Sequence, residues 1–218
     1  MKSKILYLET RKKFNIKEID LQKLDELPGK TISLAATVQY LSLVPLVSDY
    51  LKNKGKKIII QKGAFYEAHV LGCNSSAFDS KADTLLLITD GKFHALNNAI
   101  QLDKEIYVFN TRNLEKVERV DIDRIKAKKL AAIKRFLSSE EVGILVSTKL
   151  GQNFPAAEKL KKKIQKLGKK AYILESDNIN IAELENFGLP IYINTACYGL
   201  GLDDSKIVNL QDVLQYLK

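Results

Sequence analysis

The stretch ISLAATVQYLSLVPLVSDYLKNKGKKIII, Ile32 to Ile60, returns further along the chain as GILVSTKLGQNFPAAEKLKKKIQKLGKKAYIL, Gly143 to Leu174. Each copy reads as an apolar strand, a small polar turn ending in Gln39 or Gln152, a helix, a Gly-Lys-Lys corner at Gly55 or Gly168, and a second apolar strand. Gln39 and Gln152 are 113 residues apart, and so are Gly55 and Gly168, a shared offset that chance similarity rarely produces. Self-similarity at one offset marks a duplicated structural unit, and strand–helix–strand is the unit that builds parallel sheets. The chain has two cysteines, and one follows each copy: Cys73 and Cys197. A thiol behind both copies suggests convergence on one shared site, for example a metal cluster, although two thiols are too few for most such sites.

Working outward, strand and helix signals alternate along the whole chain, which argues for α/β architecture with mostly parallel sheets. Expected in order are a short strand at Ile5–Leu8, a weakly helical connector at Asp20–Glu26, strand Thr31–Ala35, helix Ser42–Lys54 and strand Lys57–Gln61. Strand Thr84–Thr89, a helix after Gly91 and strand Glu105–Phe109 complete the first layer. The spacing of Ile122, Ile125, Leu130, Ile133, Phe136 and Leu137 predicts a helix over Ile122–Leu137 that leads into the second layer. There the pattern predicts strand Gly143–Ser147, helix Pro155–Leu167, strands Ala171–Leu174 and Ile191–Asn194, and a C-terminal helix Leu210–Leu217. The expected division is two tandem homologous α/β domains, residues 1–121 and 122–218.

Composition fits this picture. A chain of 218 residues, 45% hydrophobic and 28% charged, can bury one large core or two small ones of about 100 residues each. No apolar run approaches the roughly 20 residues that span a bilayer, and MKSKILYLETRKK has no long apolar segment or small-residue cleavage site, so a cytoplasmic protein without membrane contact is expected. In that compartment two cysteines read as free thiols or metal ligands rather than a disulfide; a pair of small buried core residues is the plain alternative. The net charge of +9 allows an anionic partner. The lysines, however, fall on what read as solvated helix faces (Lys126, Lys128, Lys129, Lys134; Lys159, Lys161, Lys162, Lys163, Lys166) without interleaved aromatics, so nucleic acid is not the expected partner.

In open α/β sheets ligands bind beyond the carboxyl ends of the strands. That rule selects Ala35-Ala36-Thr37-Val38-Gln39, Asp90-Gly91-Lys92-Phe93-His94, Ser147-Thr148-Lys149-Leu150-Gly151-Gln152 and Asn194-Thr195-Ala196-Cys197. Hydroxyl, amide and turn residues there suit a small polar ligand held by side chains and helix N-termini, and ordinary capping is the competing use. None matches a GxGxxG or P-loop pattern. His94 lacks carboxylates at catalytic spacing and is read as lining the site, so no residue is assigned a catalytic role. Asp203 and Asp204 suit either a ligand amine or a turn. His69, four residues before Cys73, is expected to turn away by strand alternation into Val70.

Together the segments Ala36-Thr37-Val38-Gln39, Val70-Leu71-Gly72-Cys73, Asp90-Gly91-Lys92-Phe93-His94, Ser147 to Gln152 and Asn194-Thr195-Ala196-Cys197, with Asp203-Asp204 after them, resemble the diphthamide synthase family, the archaeal type of 2-(3-amino-3-carboxypropyl)histidine synthase. The resemblance runs over nearly the whole chain. It implies three homologous α/β domains, each giving one cysteine to a single [4Fe-4S] cluster, of which this chain carries the second and third. Cys73 and Cys197 match the second and third family cysteines and are implied metal ligands. Thr37, Gln39, Asp90, Gly91, His94, Ser147, Thr148, Gln152 and Asp204 are implied to bind S-adenosylmethionine. The implied reaction is radical transfer of the 3-amino-3-carboxypropyl group from S-adenosylmethionine to a histidine of translation elongation factor 2.

Two departures stand out. By the resemblance, the family's first domain, with its Tyr-Gly-Ala-Cys motif, is expected to have no counterpart in this sequence, whose Ile5-Leu6-Tyr7-Leu8-Glu9-Thr10-Arg11 would fall in the connection to the second domain. Tyr198-Gly199 stands where the family has Pro-Arg after its third cysteine, which removes a basic side chain from that turn. Three readings stay open. In one, a separate chain supplies the missing domain and cysteine of a split enzyme. In another, this is a degenerate subunit supporting a complete homologue. In the last, it is an unrelated two-domain sugar or nucleotide binder.

Overall fold

The computed structural model describes residues 8–217. The chain divides between Ile122 and Asp123 into two compact units. Most of the expected strand Ile5–Leu8 lies outside the described residues, and Leu8 itself is not in a strand.

The first unit is a five-stranded sheet. It contains β1 (Thr31–Ala36), β2 (Lys57–Ile59), β3 (Thr84–Ile88), β4 (Ile106–Phe109) and β5 (Leu114–Val117), in the order β2-β1-β3-β4-β5. All pairs are parallel except β4 with β5. Helices α1 (Val44–Asn53) and α2 (Phe93–Leu102) make the crossovers. A 3-10 turn at Val38–Leu43 precedes α1, so the regular helix starts later than the apolar spacing suggests, with Pro45 in its first turn. Leu34, Ala36, Leu86, Ile88 and Phe109 of the sheet pack with Tyr40, Val47 and Leu51 into one core. Each fully buried leucine there contributes about 1.5–3 kcal/mol relative to exposure.

The second unit repeats the arrangement. Strands β6 (Glu141–Ser147), β7 (Lys170–Ser176), β8 (Tyr192–Asn194) and β9 (Ile207–Asn209) form an all-parallel sheet ordered β7-β6-β8-β9. It is crossed by α4 (Ala157–Lys166), α5 (Leu200–Asp203) and α6 (Leu210–Val213), and α3 (Arg119–Ser138) runs across the division between the units. Val142, Ile144, Val146, Ile191, Ile193 and Val208 face Leu160, Ile164, Phe136 and Val213 on one side. Leu145, Tyr192 and Ile207 meet Leu184 on the other. With both faces covered, β6 reads as an unbroken apolar run rather than an alternating one.

The repeat has a direct structural counterpart. Gly55 and Gly168 both take left-handed backbone, φ 77 and 79, and each donates its N–H back to the ending helix, to Lys52 O and Gln165 O at 2.9 Å. That conformation strains any residue with a Cβ, so the glycine of each Gly-Lys-Lys corner is what allows the helix to stop and the next strand to enter beside the first.

Several expectations need correction. β5 and β9 are additional strands, and a 3-10 segment occupies Ile181–Phe187. The expected C-terminal helix is α6 followed by a 3-10 turn, Leu214–Tyr216, because Val213 and Leu217 must both reach the core. Lys129 does not lie on a solvated face: its side chain is 19% exposed and pairs with Asp212 at 2.9 Å.

Candidate functional site

In each sheet the chain first crosses to one side and then to the other, so a topological switch falls between β1 and β3 and again between β6 and β8. Crevices beyond the carboxyl ends of strands at such points are where open α/β sheets bind ligands. The two loops flanking the first switch carry Thr37 and Thr89, whose buried hydroxyls meet at 3.2 Å. Across the second, Thr195 of the β8 loop donates its hydroxyl to Leu145 O of β6 at 2.7 Å.

Cys73 is in the first of these regions. The chain leaves β2, loops out, and rejoins the end of β1: Ala36 N donates to Ala68 O at 2.8 Å and Val70 N to Ala36 O at 3.0 Å. A tight turn then closes between Leu71 and Asn74, whose N–H and C=O groups exchange two bonds of 3.2 Å, with Gly72 and Cys73 at its tip. Two amides of α2 hold this turn. Asn98 Nδ2 donates to Leu71 O at 3.0 Å, and Gln101 Nε2 to Gly72 O at 2.9 Å. The thiol of Cys73 is exposed and unbonded to another cysteine.

Cys197 also lies beyond a carboxyl strand end, but in a different connection: it follows β8, the third strand of its unit, whereas Cys73 lies between the second and third strands of the first. Asn194, at the end of β8, donates Nδ2 to Cys197 O at 2.8 Å and to Asn209 Oδ1 at 2.7 Å, while its Oδ1 accepts from Ala196 N at 3.0 Å. Asn209 of β9 donates to Tyr198 O at 3.1 Å. Both amides are almost wholly buried. Glycine at 201 is obligatory for this clamp, since a Cβ there would collide with the Asn209 amide. Cys197 is also an exposed free thiol, so neither cysteine serves as core filling.

Tyr198, next to Cys197, has a basic neighbour. Lys129 Nζ donates to its hydroxyl at 2.8 Å and pairs with Asp212. Burial pulls the Lys129 ammonium toward neutrality, but the bonds to Tyr198 and Asp212 outweigh it and raise its pKa above the ordinary lysine value. A cation thus stands beside the thiol turn on a helix rather than within the loop.

The remaining expected site residues gather by unit. In the first, Thr37 is buried, Gln39 is exposed with its carbonyl accepting from Lys12 N at 3.2 Å, and Asp90 pairs with Lys12 at 3.3 Å. Gly91 takes φ 71. His94, half-buried in the first turn of α2, is held below the ordinary histidine value by burial and by the charge of His69. His69 is 3% exposed, against Phe65 and Tyr66, and burial lowers it as well. In the second unit Ser147 Oγ is buried and accepts from Lys149 N at 3.2 Å, Thr148 bonds Asp177, and Gln152 closes the turn on Lys149 O at 3.0 Å. Asp204 Oδ1 accepts from Lys206 N at 2.6 Å, which commits one carboxylate oxygen to a turn.

The amides carry little signal in the sequence: His94, Asn97, Asn98 and Gln101 recur at helical spacing on α2 as a polar stripe, and nothing local marks Asn209. Among the described residues no three His, Cys, Asp or Glu side chains form a metal site by themselves, and no helix is long and apolar enough to cross a membrane.

Two α/β units with mostly parallel sheets, each carrying an exposed cysteine on a turn held by side-chain amides, place the chain in the class of tandem α/β proteins. This chain belongs to the diphthamide synthesis family: the family described as "Putative diphthamide synthesis protein" matches residues 1–208. It is 28% identical over 180 residues to 2-(3-amino-3-carboxypropyl)histidine synthase of Pyrococcus horikoshii, covering 81% of this chain and 52% of that protein. The Methanocaldococcus jannaschii enzyme is 26% identical over 181 residues, with 81% and 47% covered. Subunit 2 of the Danio rerio synthase is 38% identical over 105 residues, 45% of this chain and 21% of that one. The crystal structure of Dph2 from Pyrococcus horikoshii with its 4Fe-4S cluster superposes with a TM-score of 0.75 at 25% identity, covering 90% of this chain and 59% of that one. The chain thus spans about half the length of the archaeal relatives it matches. Family membership overturns the reading of an unrelated sugar or nucleotide binder.

Proposed function

We propose that this chain acts in the first step of diphthamide biosynthesis, transfer of a 3-amino-3-carboxypropyl group from S-adenosylmethionine to a histidine of translation elongation factor 2. In this reading Cys73 and Cys197 supply two thiolates to a [4Fe-4S] cluster, and a partner polypeptide supplies a third. The observation that carries the reading is that both cysteines are exposed thiols on turns fixed by side-chain amides at the carboxyl edge of a sheet. The donor set fits the group: thiolates are the ligands that iron–sulfur clusters take, and a turn already ordered loses little entropy on ligation. When bound, the cluster supplies the electron and the open iron position that this chemistry requires.

The chain's own residues then have separable tasks. Asn98, Gln101, Asn194 and Asn209 hold the two thiols in place. Thr37, Gln39, Asp90, Gly91 and His94 in one unit, and Ser147, Thr148, Gln152 and Asp204 in the other, offer hydroxyl, amide and carboxylate groups to the polar parts of S-adenosylmethionine. His94, kept neutral by burial, can accept a hydrogen bond at an imidazole nitrogen. Lys129, itself paired with Asp212, fixes the Tyr198 hydroxyl beside the Cys197 turn.

A structural subunit supporting a complete homologue is the second reading, favoured by the match to a relative that is itself a synthase subunit. Anaerobic reconstitution with iron and sulfide, alone and with candidate partner polypeptides, separates the two. About four irons per assembly with iron–sulfur charge-transfer absorption, lost in Cys73→Ala or Cys197→Ala, are expected. Iron content indifferent to both substitutions leaves the subunit reading.

A further inference from the structure

Buried polar atoms without partners are rare in folded proteins, and where they cluster they ask for a reason. Among the described residues five buried side-chain atoms lack a hydrogen-bond partner, and four of them belong to His69, Asn97 and Asn98 around the Cys73 segment. Asn97 is the extreme case: it is 1% exposed, and neither Nδ2 nor Oδ1 is bonded. Its neighbours on the same stripe of α2, Asn98 and Gln101, spend their donors on the carbonyls of Leu71 and Gly72. Asn97 Nδ2 lies against the same turn, where a Cβ at residue 72 would come within 3.3 Å of it. The unspent amide thus packs closely on Gly72, one residue from the thiol, where a Cβ would crowd both it and the Phe93 ring.

We propose that Asn97 is a positioning residue for whatever Cys73 holds, donating its amide N–H to the metal-bound sulfur. This rests on the reading of Cys73 as a metal ligand. Outer hydrogen bonds to a ligating atom fix its orientation and raise metal affinity, commonly by 10–100-fold. On this stripe the donors of Asn98 and Gln101 are bonded and Asn97 Nδ2 is the donor left over; a sulfur anion turned toward it would satisfy it, so burial of the amide costs less in the loaded state.

The test uses the full chain carrying Cys197→Ser, so that Cys73 is the single thiol, titrated with cadmium(II). Sulfur-to-cadmium absorption reports binding, and the Asn97 side-chain NH2 resonances report the contact. The resonances are expected to shift with the same dissociation constant as the absorption, and Asn97→Leu to bind cadmium about 10-fold more weakly. Asn97→Ser, which keeps a donor, recovers part of that loss. Equal affinity in Asn97→Leu, resonances that do not move, or no cadmium binding at all overturns the proposal. Should Asn97→Leu fail to fold, the resonances of the chain retaining Asn97 still decide. Cadmium on one thiol does not depend on cluster assembly, so a failed iron reconstitution would count against the proposed function and leave this inference standing.

Discussion

The Asn194–Asn209 clamp offers the sharpest quantitative test of how the Cys197 turn is built. Replacing Asn209 by Ala removes its donation to Tyr198 O and the bond its Oδ1 receives from Asn194 Nδ2. Asn194 keeps its bond to Cys197 O. Two hydrogen bonds lost at about 1 kcal/mol each, together with the cost of an N–H left unpaired in a site only 1–2% exposed, give a loss of roughly 2–4 kcal/mol. For a unit of this size that lowers the melting temperature by roughly 10 °C or more. Urea unfolding followed by far-UV circular dichroism measures it, and Asn194→Ala with Asn209→Ala should cost less than the sum of the single changes, since both remove the shared bond. A loss below about 0.5 kcal/mol, or strict additivity, refutes the clamp as the element that orders the turn.

Three further outcomes follow from particular contacts. Gly201→Ala, which drives a methyl group into the Asn209 amide, should destabilise in the same direction by about 1–3 kcal/mol and make the Cys197 segment more susceptible to proteolysis. His94 is depressed by burial and by the charge of His69, and His69 by burial and Arg11, partly offset by Glu9. Because the folded state holds these protons less tightly than the unfolded chain, stability is unaffected above the ordinary value of 6.5 and falls as pH drops below it; His94→Gln should flatten that fall in urea midpoints between pH 7 and 5. Thr111 sits at φ 83, a strained conformation for a β-branched residue, in the turn between β4 and β5. Thr111→Gly is expected to raise stability by about 1 kcal/mol, and a decrease would show that its side chain contributes more than its strain.

The legible parts of the fold are those written in local pattern. The apolar runs at Thr31–Ala36, Thr84–Ile88 and Glu141–Ser147 became central strands because burial on both faces forces an unbroken apolar sequence. Strand β5 escaped notice because Leu114-Glu115-Lys116-Val117 is a short, half-polar edge, and β9 because Ile207-Val208-Asn209 is only one pair of apolar residues beside an amide. Lys129 looked like its solvated neighbours; no local signal distinguishes a lysine that meets Asp212, 83 positions on, from one that meets water.

The sequence by itself determined the duplicated α/β architecture, the glycine corners and the two thiols, since periodicity, left-handed backbone and residue chemistry are properties of neighbouring residues. Only the tertiary structure decided how those thiols are held. Asn98 reaches Leu71 from 27 residues away and Asn209 reaches Tyr198 from 11, and a hydrogen bond across such distances exists only after sheet and helix have packed. The same packing left Asn97 buried with its amide unspent, a feature that no spacing in the chain announces.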